Sequence, residues 1–312
     1  MKHFTCVQDV EDVEALVQKA LTLKASPWKY EQLGRHKTLV LLFFNPSLRT
    51  RLSSQKAGQQ LGLSVITMDA SSGWKLEFED HITMNTDKAE HIKEAAAVIS
   101  GYADLIGIRS FPALSDKAED YQDRVINSFR KYASVPVISL ESAIRHPLQS
   151  LADLMTITEH QKTARPKVVL SWAPHPKLLP QAVANSFAEW LLRSNAELVI
   201  THPKGYELDP AFTQGTTIEY DQKEAFSNAD FIYVKNWSSV HPYGQQLPVQ
   251  EDWRIDGPKM NISSKAQFMH CLPIRRNVVA TDKVLDSPRA LHLKQAKNRT
   301  FAAQAVFAAL LE

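Results

Sequence analysis

Short apolar runs recur along the chain: TLVLLFF (38–44), SVITM (64–68), LIGIR (105–109), VPVIS (135–139), KVVLSW (167–172), ELVIT (197–201), TIEY (217–220), DFIYVK (230–235) and QFMHC (267–271). Most are continuous rather than alternating and rich in Val, Ile and Leu, the pattern of parallel strands covered on both faces. Between them the period lengthens, and RLSSQKAGQQLG, KAEHIKEAAAVISGY and LPQAVANSFAEWLLRSN read as helices. In the last, Val183, Phe187, Trp190, Leu191 and Ser194 recur at helical spacing, which leaves Glu189 and Arg193 outside. Strands alternating with helices predict an α/β protein with parallel sheets.

The stretch ESAIRHPLQSLADLMTITEHQKT reads as a polar turn followed by a helix, and a fresh strand begins at Lys167. One α/β domain is expected over residues 1–145 and a second over 146–296. The last helix, NRTFAAQAVFAALLE, has no strand after it, so residues 297–312 are expected to pack back on the first domain. Ligands of such proteins bind outside the carboxyl ends of the strands, and the cleft between the domains is the expected site.

Composition narrows the partners. A formal charge of +2 over 312 residues argues against a nucleic-acid binder with a broad basic footprint. No apolar run approaches membrane-spanning length. The opening MKHFTCVQDVEDVEALV has the character of neither an export nor a transit signal. With Cys6 and Cys271 as its two cysteines, the chain fits a reducing, cytoplasmic setting without a disulfide framework. Gly-rich phosphate motifs, H-E-x-x-H and paired C-x-x-C are missing, so no metal and no cofactor is indicated.

The candidate chemistry gathers at predicted strand ends. Ser47-Leu48-Arg49-Thr50-Arg51 follows a strand and opens a helix, where free N–H groups, hydroxyls and guanidinium forks suit a tetrahedral anion. The plainer alternative is a serine N-cap with two solvated arginines. Asn45-Pro46 forces a sharp turn just before it and favours the anion. Arg109 ends LIGIR, as surface arginines also do. His146-Pro147-Leu148-Gln149 sets an imidazole and an amide at a helix start, either to donate to a carbonyl oxygen or simply to turn the chain. His270-Cys271-Leu272-Pro273 closes another strand, where a lone cysteine is ordinarily core.

S-L-R-T-R, H-P-L-Q and H-C-L-P, in this order, resemble the carbamoyltransferase family, the aspartate and ornithine transcarbamylases, over essentially the whole chain. The resemblance implies two doubly wound parallel-sheet domains with an interdomain cleft, and a homotrimer with shared active sites. It implies that carbamoyl phosphate is held by Ser47, Leu48, Arg49, Thr50, Arg109, His146, Gln149, Cys271, Leu272 and Arg299, with Trp74 from a neighbouring subunit. Thr50, Arg109, His146, Gln149 and Cys271 are the residues it implies in catalysis.

The departures point to the acceptor. Ordinary ornithine enzymes carry D-x-x-x-S-M-G, whose aspartate faces the α-ammonium; here the segment reads Lys235-Asn236-Trp237-Ser238-Ser239. A lysine facing an ammonium at a few ångströms costs on the order of several kcal/mol, whereas an acylated nitrogen carries no charge. With WAPHP at 172–176, HCLPIRRN at 270–277 and the loop around Gly73-Trp74-Lys75, the chain resembles the family's acylornithine branch. The implied acceptor is an N-acylornithine held by Glu141, His175, Lys235, Leu272 and Arg275. Ala89 stands where acetylornithine enzymes of the branch tend to have glutamate and succinylornithine enzymes proline. Being small and uncharged, it leaves room for a second carboxylate. Gln304 stands where acetyl-type enzymes have a lysine. Both signs favour the succinyl substrate over the acetyl one. A transcarbamylase for free ornithine or putrescine, and a non-catalytic relative, are the rival readings.

Overall fold

The computed structural model describes residues 1–70 and 74–312. Of the loop singled out above, Gly73 lies outside the described residues. The chain divides into two compact units. The first comprises Met1–Ala113, Ala118–Leu148 and Arg299–Glu312, and the second Leu114–Lys117 and Gln149–Asn298.

In the first unit, strands β1 (Thr38–Phe43) and β2 (Ser64–Asp69) are followed by the short pair β3 (Leu76–Glu77) and β4 (Glu90–His91), then by β5 (Leu105–Arg109) and β6 (Val137–Glu141). A four-stranded sheet runs β2-β1-β5-β6 with every pairing parallel. On one face Val40, Leu42, Ile106 and Ile108 pack with Ile92, Ala96 and Ile99 of the helix Ile92–Ser100 and with Ile126 and Phe129 of the helix Arg124–Tyr132. The helix Arg49–Gln60 presses close to the sheet at Gly58, where a Cβ would meet Val65 Cγ2 at 2.8 Å and Leu39 Cδ2 at 3.1 Å. SVITM forms the sheet's edge strand, and Ile66 and Met68 are 47% and 42% exposed.

The second unit holds β7 (Lys167–Trp172), β8 (Glu197–Thr201), β9 (Thr217–Ile218), β10 (Phe231–Lys235) and β11 (Gln267–Met269). They form a parallel sheet in the order β11-β10-β7-β8-β9. Val169, Val199, Ile232, Val234 and Phe268 pack with Phe226, Met260, Val284 and Leu285. All of the helix Ala182–Leu191 is buried, and its Phe187 ring stacks on Tyr233 with centroids 4.1 Å apart. Glu189, expected outside, is therefore buried, while Arg193 is exposed beyond the helix end. A helix covered all round has no solvent face for its carboxylate, so the helical period gave the wrong side.

Parallel pairing places all carboxyl ends of a sheet's strands along one edge. In the first unit that edge carries Asn45 after β1, Arg109 at the end of β5 and Glu141 at the end of β6. In the second it carries Ala173 after β7, Lys235 at the end of β10, and His270 and Cys271 after β11. The fold thus delivers the chemically capable side chains to one rim of each sheet.

The turn that leads into β2 depends on Gly62, at φ 81°, where a Cβ would stand 2.1 Å from the Glu31 carbonyl oxygen. Gly62→Ala is expected to lower the unfolding free energy by about 2–4 kcal/mol, from left-handed strain plus the clash. Urea melts should show this as a lower midpoint at unchanged m value.

Candidate active site

In the first unit the centre is a buried ion pair. Arg109 Nε and Nη2 lie 3.1 and 3.0 Å from Glu141 Oε2, and both residues are 6% exposed. The same guanidinium donates through Nη1 to the carbonyls of Asn45 and Pro46, at 2.9 and 2.5 Å. Its face lies over the Phe111 ring at 4.1 Å, and the Phe111 N–H donates to Asn45 Oδ1 at 2.7 Å. Arg109 therefore ties together the ends of β1, β5 and β6. His146 Nε2 stands 3.6 Å from the same Glu141 oxygen, which joins the H-P-L-Q turn to the cluster.

The helix start that follows is arranged for an anion. The Thr50 N–H donates to Ser47 Oγ at 3.3 Å, so Ser47 caps the helix Arg49–Gln60 while Leu48 between them is 70% exposed. The Thr50 side chain is buried, and Arg299 Nη2, also buried, donates to its hydroxyl at 2.7 Å. Arg51 turns onto the Phe43 ring at 4.8 Å, and Arg49 is half-buried. Cationic groups at a helix N-terminus, where the backbone is already partly positive, are stabilised by a bound anion.

The 74–91 segment pairs β3 with β4 within the first unit. Trp74 packs on the first unit's core and donates from Nε1 to Glu90 Oε2 at 3.0 Å. Ala89 is exposed, its N–H bonded to the Lys75 carbonyl at 2.9 Å. Lys88 donates to Glu77 at 2.8 Å, and this bond, joined by backbone N–H donors, holds the Glu77 carboxyl down to about 2.

In the second unit, Lys235 is 8% exposed and donates to the Asn236 carbonyl at 2.9 Å, while Asn236 donates to the Ala173 carbonyl at 2.7 Å. His175 is half-buried two residues beyond Ala173, and Arg275 is exposed. Burial is the chief cause that lowers the His175 pKa below its ordinary value. The Lys177 carbonyl opposes the shift, and the charges of Lys235, Arg275 and Lys177 reinforce it. The His175 Nδ1 lies 3.0 Å from the Lys177 carbonyl oxygen and 3.1 Å from the Lys177 backbone nitrogen. The trio sets an ammonium, a guanidinium and an imidazole in the second unit.

In the same unit, Gln149 donates to Asp153 at 2.7 Å, and Cys271 and Leu272 follow the end of β11. Leu272 sits at φ 59° with its N–H on His270 Nδ1 at 2.8 Å, and the Leu272-Pro273 peptide is cis. Glu141, expected beside the acceptor, shares the first unit with Arg109 and His146, whereas His175, Lys235, Leu272 and Arg275 belong to the second. Gln304, in the long helix His292–Leu311, is buried and donates to the Pro27 carbonyl at 2.6 Å. Among the described residues no group of three or more His, Cys, Asp or Glu is placed to hold a metal, and no helix is long and apolar enough to cross a membrane. Sequence reasoning did not single out Asp153, Gln295 and Tyr233; Gln295 and Asp153 meet across 142 positions of the chain.

Comparison with known proteins matches two family models. Residues 2–159 match the carbamoyl-P binding domain of aspartate/ornithine carbamoyltransferase, and residues 180–310 match its Asp/Orn binding domain. The N-succinylornithine carbamoyltransferase of Bacteroides fragilis is 50% identical, covering 100% of this chain and 99% of that protein. The N-acetylornithine carbamoyltransferase of Xylella fastidiosa is 37% identical over 99% of this chain and 98% of its own length. A crystal structure of N-acetyl-L-ornithine transcarbamylase superimposes with a TM-score of 0.92 at 36% identity, covering 99% of this chain and 100% of that one. That structure carries alanine in place of one glutamate and is complexed with carbamyl phosphate and N-succinyl-L-norvaline.

Two outcomes follow from the geometry. Glu141→Ala leaves a buried guanidinium without its carboxylate and should cost about 3–5 kcal/mol of stability, whereas Arg109→Met with Glu141→Leu should cost less; chemical denaturation of the variants reads the difference. Proton-detected titration should place His175 below the ordinary imidazole value, and Lys235→Gln should raise it, since one opposing positive charge is gone.

Proposed function

This chain belongs to the aspartate/ornithine carbamoyltransferase family and is a carbamoyltransferase, and we propose that its acceptor is N-succinylornithine. The products are N-succinylcitrulline and phosphate, a step of arginine biosynthesis in the cytoplasm. The observation that carries the acceptor is the higher full-length identity to the succinylornithine enzyme than to the acetylornithine enzyme. Ala89 supports it, since an uncharged side chain at that loop admits a second carboxylate. The acetylornithine relative that lost one glutamate is complexed with a succinylated amino acid, in keeping with the same logic. Lys235 supports an acylated α-nitrogen, because a nearby ammonium would be repelled.

In this reading carbamoyl phosphate places its phosphate on the Ser47–Thr50 helix start, with Arg49, Arg109 and Arg299 as counter-charges. Thr50, Arg109 and His146 donate to the carbonyl oxygen as it gains charge, and Gln149 with the Cys271-Leu272 backbone positions the carbamoyl group. The neutral δ-amine attacks the carbonyl carbon, forming a C–N bond. The C–O bond to phosphate breaks, phosphate takes the electron pair, and the amine loses its extra proton. No covalent enzyme intermediate is required. The acceptor's carboxylates meet His175, Lys235 and Arg275. Much of the acceleration comes from holding two small molecules in attack geometry. The working unit we propose is a homotrimer in which Trp74 and Ala89 serve a neighbour's site. The exposure of Leu52, Ile66 and Met68 on the first unit fits an apolar surface that a second copy covers.

Assay of carbamoyl phosphate with ornithine, N-acetylornithine, N-succinylornithine and putrescine, scored for ureido product, should show turnover mainly with the succinyl substrate; preference for acetylornithine would reassign the acceptor. Arg49→Ala is expected to lower kcat/KM for carbamoyl phosphate by about tenfold to a hundredfold, the loss of one charge-assisted contact. Ala89→Glu should shift the succinyl-to-acetyl ratio of kcat/KM toward acetyl, and an unchanged ratio would remove that loop from specificity.

A further inference from the structure

Asp153 is fully buried, one helical turn beyond Gln149 on the helix Pro147–His160, and serves no role in the chemistry above. Its Oδ1 receives two side-chain amides, from Gln149 Nε2 at 2.7 Å and from Gln295 Nε2 at 2.6 Å. Gln295 in turn accepts the His270 N–H on its Oε1 at 3.0 Å. That acceptance fixes the orientation of the Gln295 amide, with its nitrogen toward Asp153 and its oxygen toward the H-C-L-P segment. The same reasoning fixes Gln149. Turned the other way, its amide oxygen would face an Asp153 oxygen at 2.7 Å, an acceptor against an acceptor. The Gln149 Oε1 is consequently directed elsewhere, buried, and among the described residues no donor reaches it. A fold carries an unmet buried acceptor at a cost, and one held so firmly marks a place for an N–H donor.

The network extends to Cys271. The Tyr233 hydroxyl is fully buried with Asp153 and Cys271 beside it, and burial followed by these two neighbours keeps it protonated well above the ordinary tyrosine range. One buried carboxyl group thus organises side chains from the H-P-L-Q helix, the strand β10, the H-C-L-P turn and the helix His292–Leu311.

We propose that Asp153 is a positioning residue that, with Gln295, locks the Gln149 amide so that its oxygen accepts an N–H of the carbamoyl group, making the site selective for a carbamoyl over an acyl phosphate. This rests on the reading of the chain as a carbamoyl phosphate enzyme. Acetyl phosphate is the discriminating probe, because it keeps the phosphate and the carbonyl and replaces the amino group by a methyl that donates nothing. In Asp153→Asn the amide of residue 153 can present N–H to Gln149 and release the lock.

The experiment measures the KM for carbamoyl phosphate and the inhibition constant of acetyl phosphate, in wild type and in Asp153→Asn. The expected result is a KM raised about tenfold, the worth of one lost acceptor, with acetyl phosphate inhibition changed by less than about twofold. A parallel weakening of both ligands would make Asp153 merely structural, and no change in either would remove it from the site; each outcome overturns the proposal. If the variant does not fold, the wild-type Gln149 side-chain amide is read by ¹⁵N-detected hydrogen exchange, assigned by its disappearance in Gln149→Glu. Slow exchange is expected, and a freely exchanging amide overturns the lock. A wild-type protein that forms no ureido product with any acceptor would overturn the functional reading itself. An active wild type with an unchanged carbamoyl-to-acetyl ratio in the variant overturns only the positioning role.

Discussion

The Arg109–Glu141 pair is the constraint around which the first unit's rim is built. Burying two opposite charges is favourable only where geometry is close and the remaining donors are met. Both conditions hold: one carboxylate oxygen faces two guanidinium nitrogens, and two backbone carbonyls take a third. Those carbonyls belong to Asn45 and Pro46, so the turn that launches the Ser47–Thr50 helix start is positioned by a side chain of the neighbouring strand β5. His146 borders the same carboxylate. The turn before the helix start, the guanidinium and the imidazole are thus set by one electrostatic unit rather than by three separate loops.

The second unit uses a neutral counterpart of this device. There a carboxyl group collects amide and phenol groups, and the cations Lys235 and Arg275 stand apart from it near His175. The first unit's rim is organised by an ion pair, the second's by hydrogen bonds to one carboxyl group.

Much of this was legible in the sequence, for a physical reason. Parallel strands buried on both faces must be apolar throughout, so their ends are abrupt, and a polar residue there is exposed as an anomaly. Arg109 and His270 were found in this way, whereas Lys235 stood out by its departure from the family's D-x-x-x-S-M-G segment. The failures follow from the same logic. Val137–Glu141 extends beyond the run VPVIS because Ser139 is fully buried within the strand, which hid Glu141's place beside Arg109. SVITM is apolar yet lies at a sheet edge, where the pattern carries no information about a neighbour that is another molecule or solvent. Glu189 is on a helix covered all round. Asp153 stands at helical spacing from Gln149 and was visible as a residue, but Gln295, its second donor, lies 142 positions further along the chain.

The contact of Arg299 with Thr50 joins residues separated by 249 positions. The first unit takes its final segment, Arg299–Glu312, from the end of the chain, whereas most of the second unit is one continuous stretch, Gln149–Asn298. On the ribosome, the unit begun first is therefore the one completed last. Its buried Thr50 and the apolar surface that receives Arg299–Glu312 wait, exposed, until that segment has been made, while the second unit's own strands have already emerged. Synthesis order and assembly order run in opposite senses, and the interval between them is the period in which this protein is most open to chaperones and to aggregation.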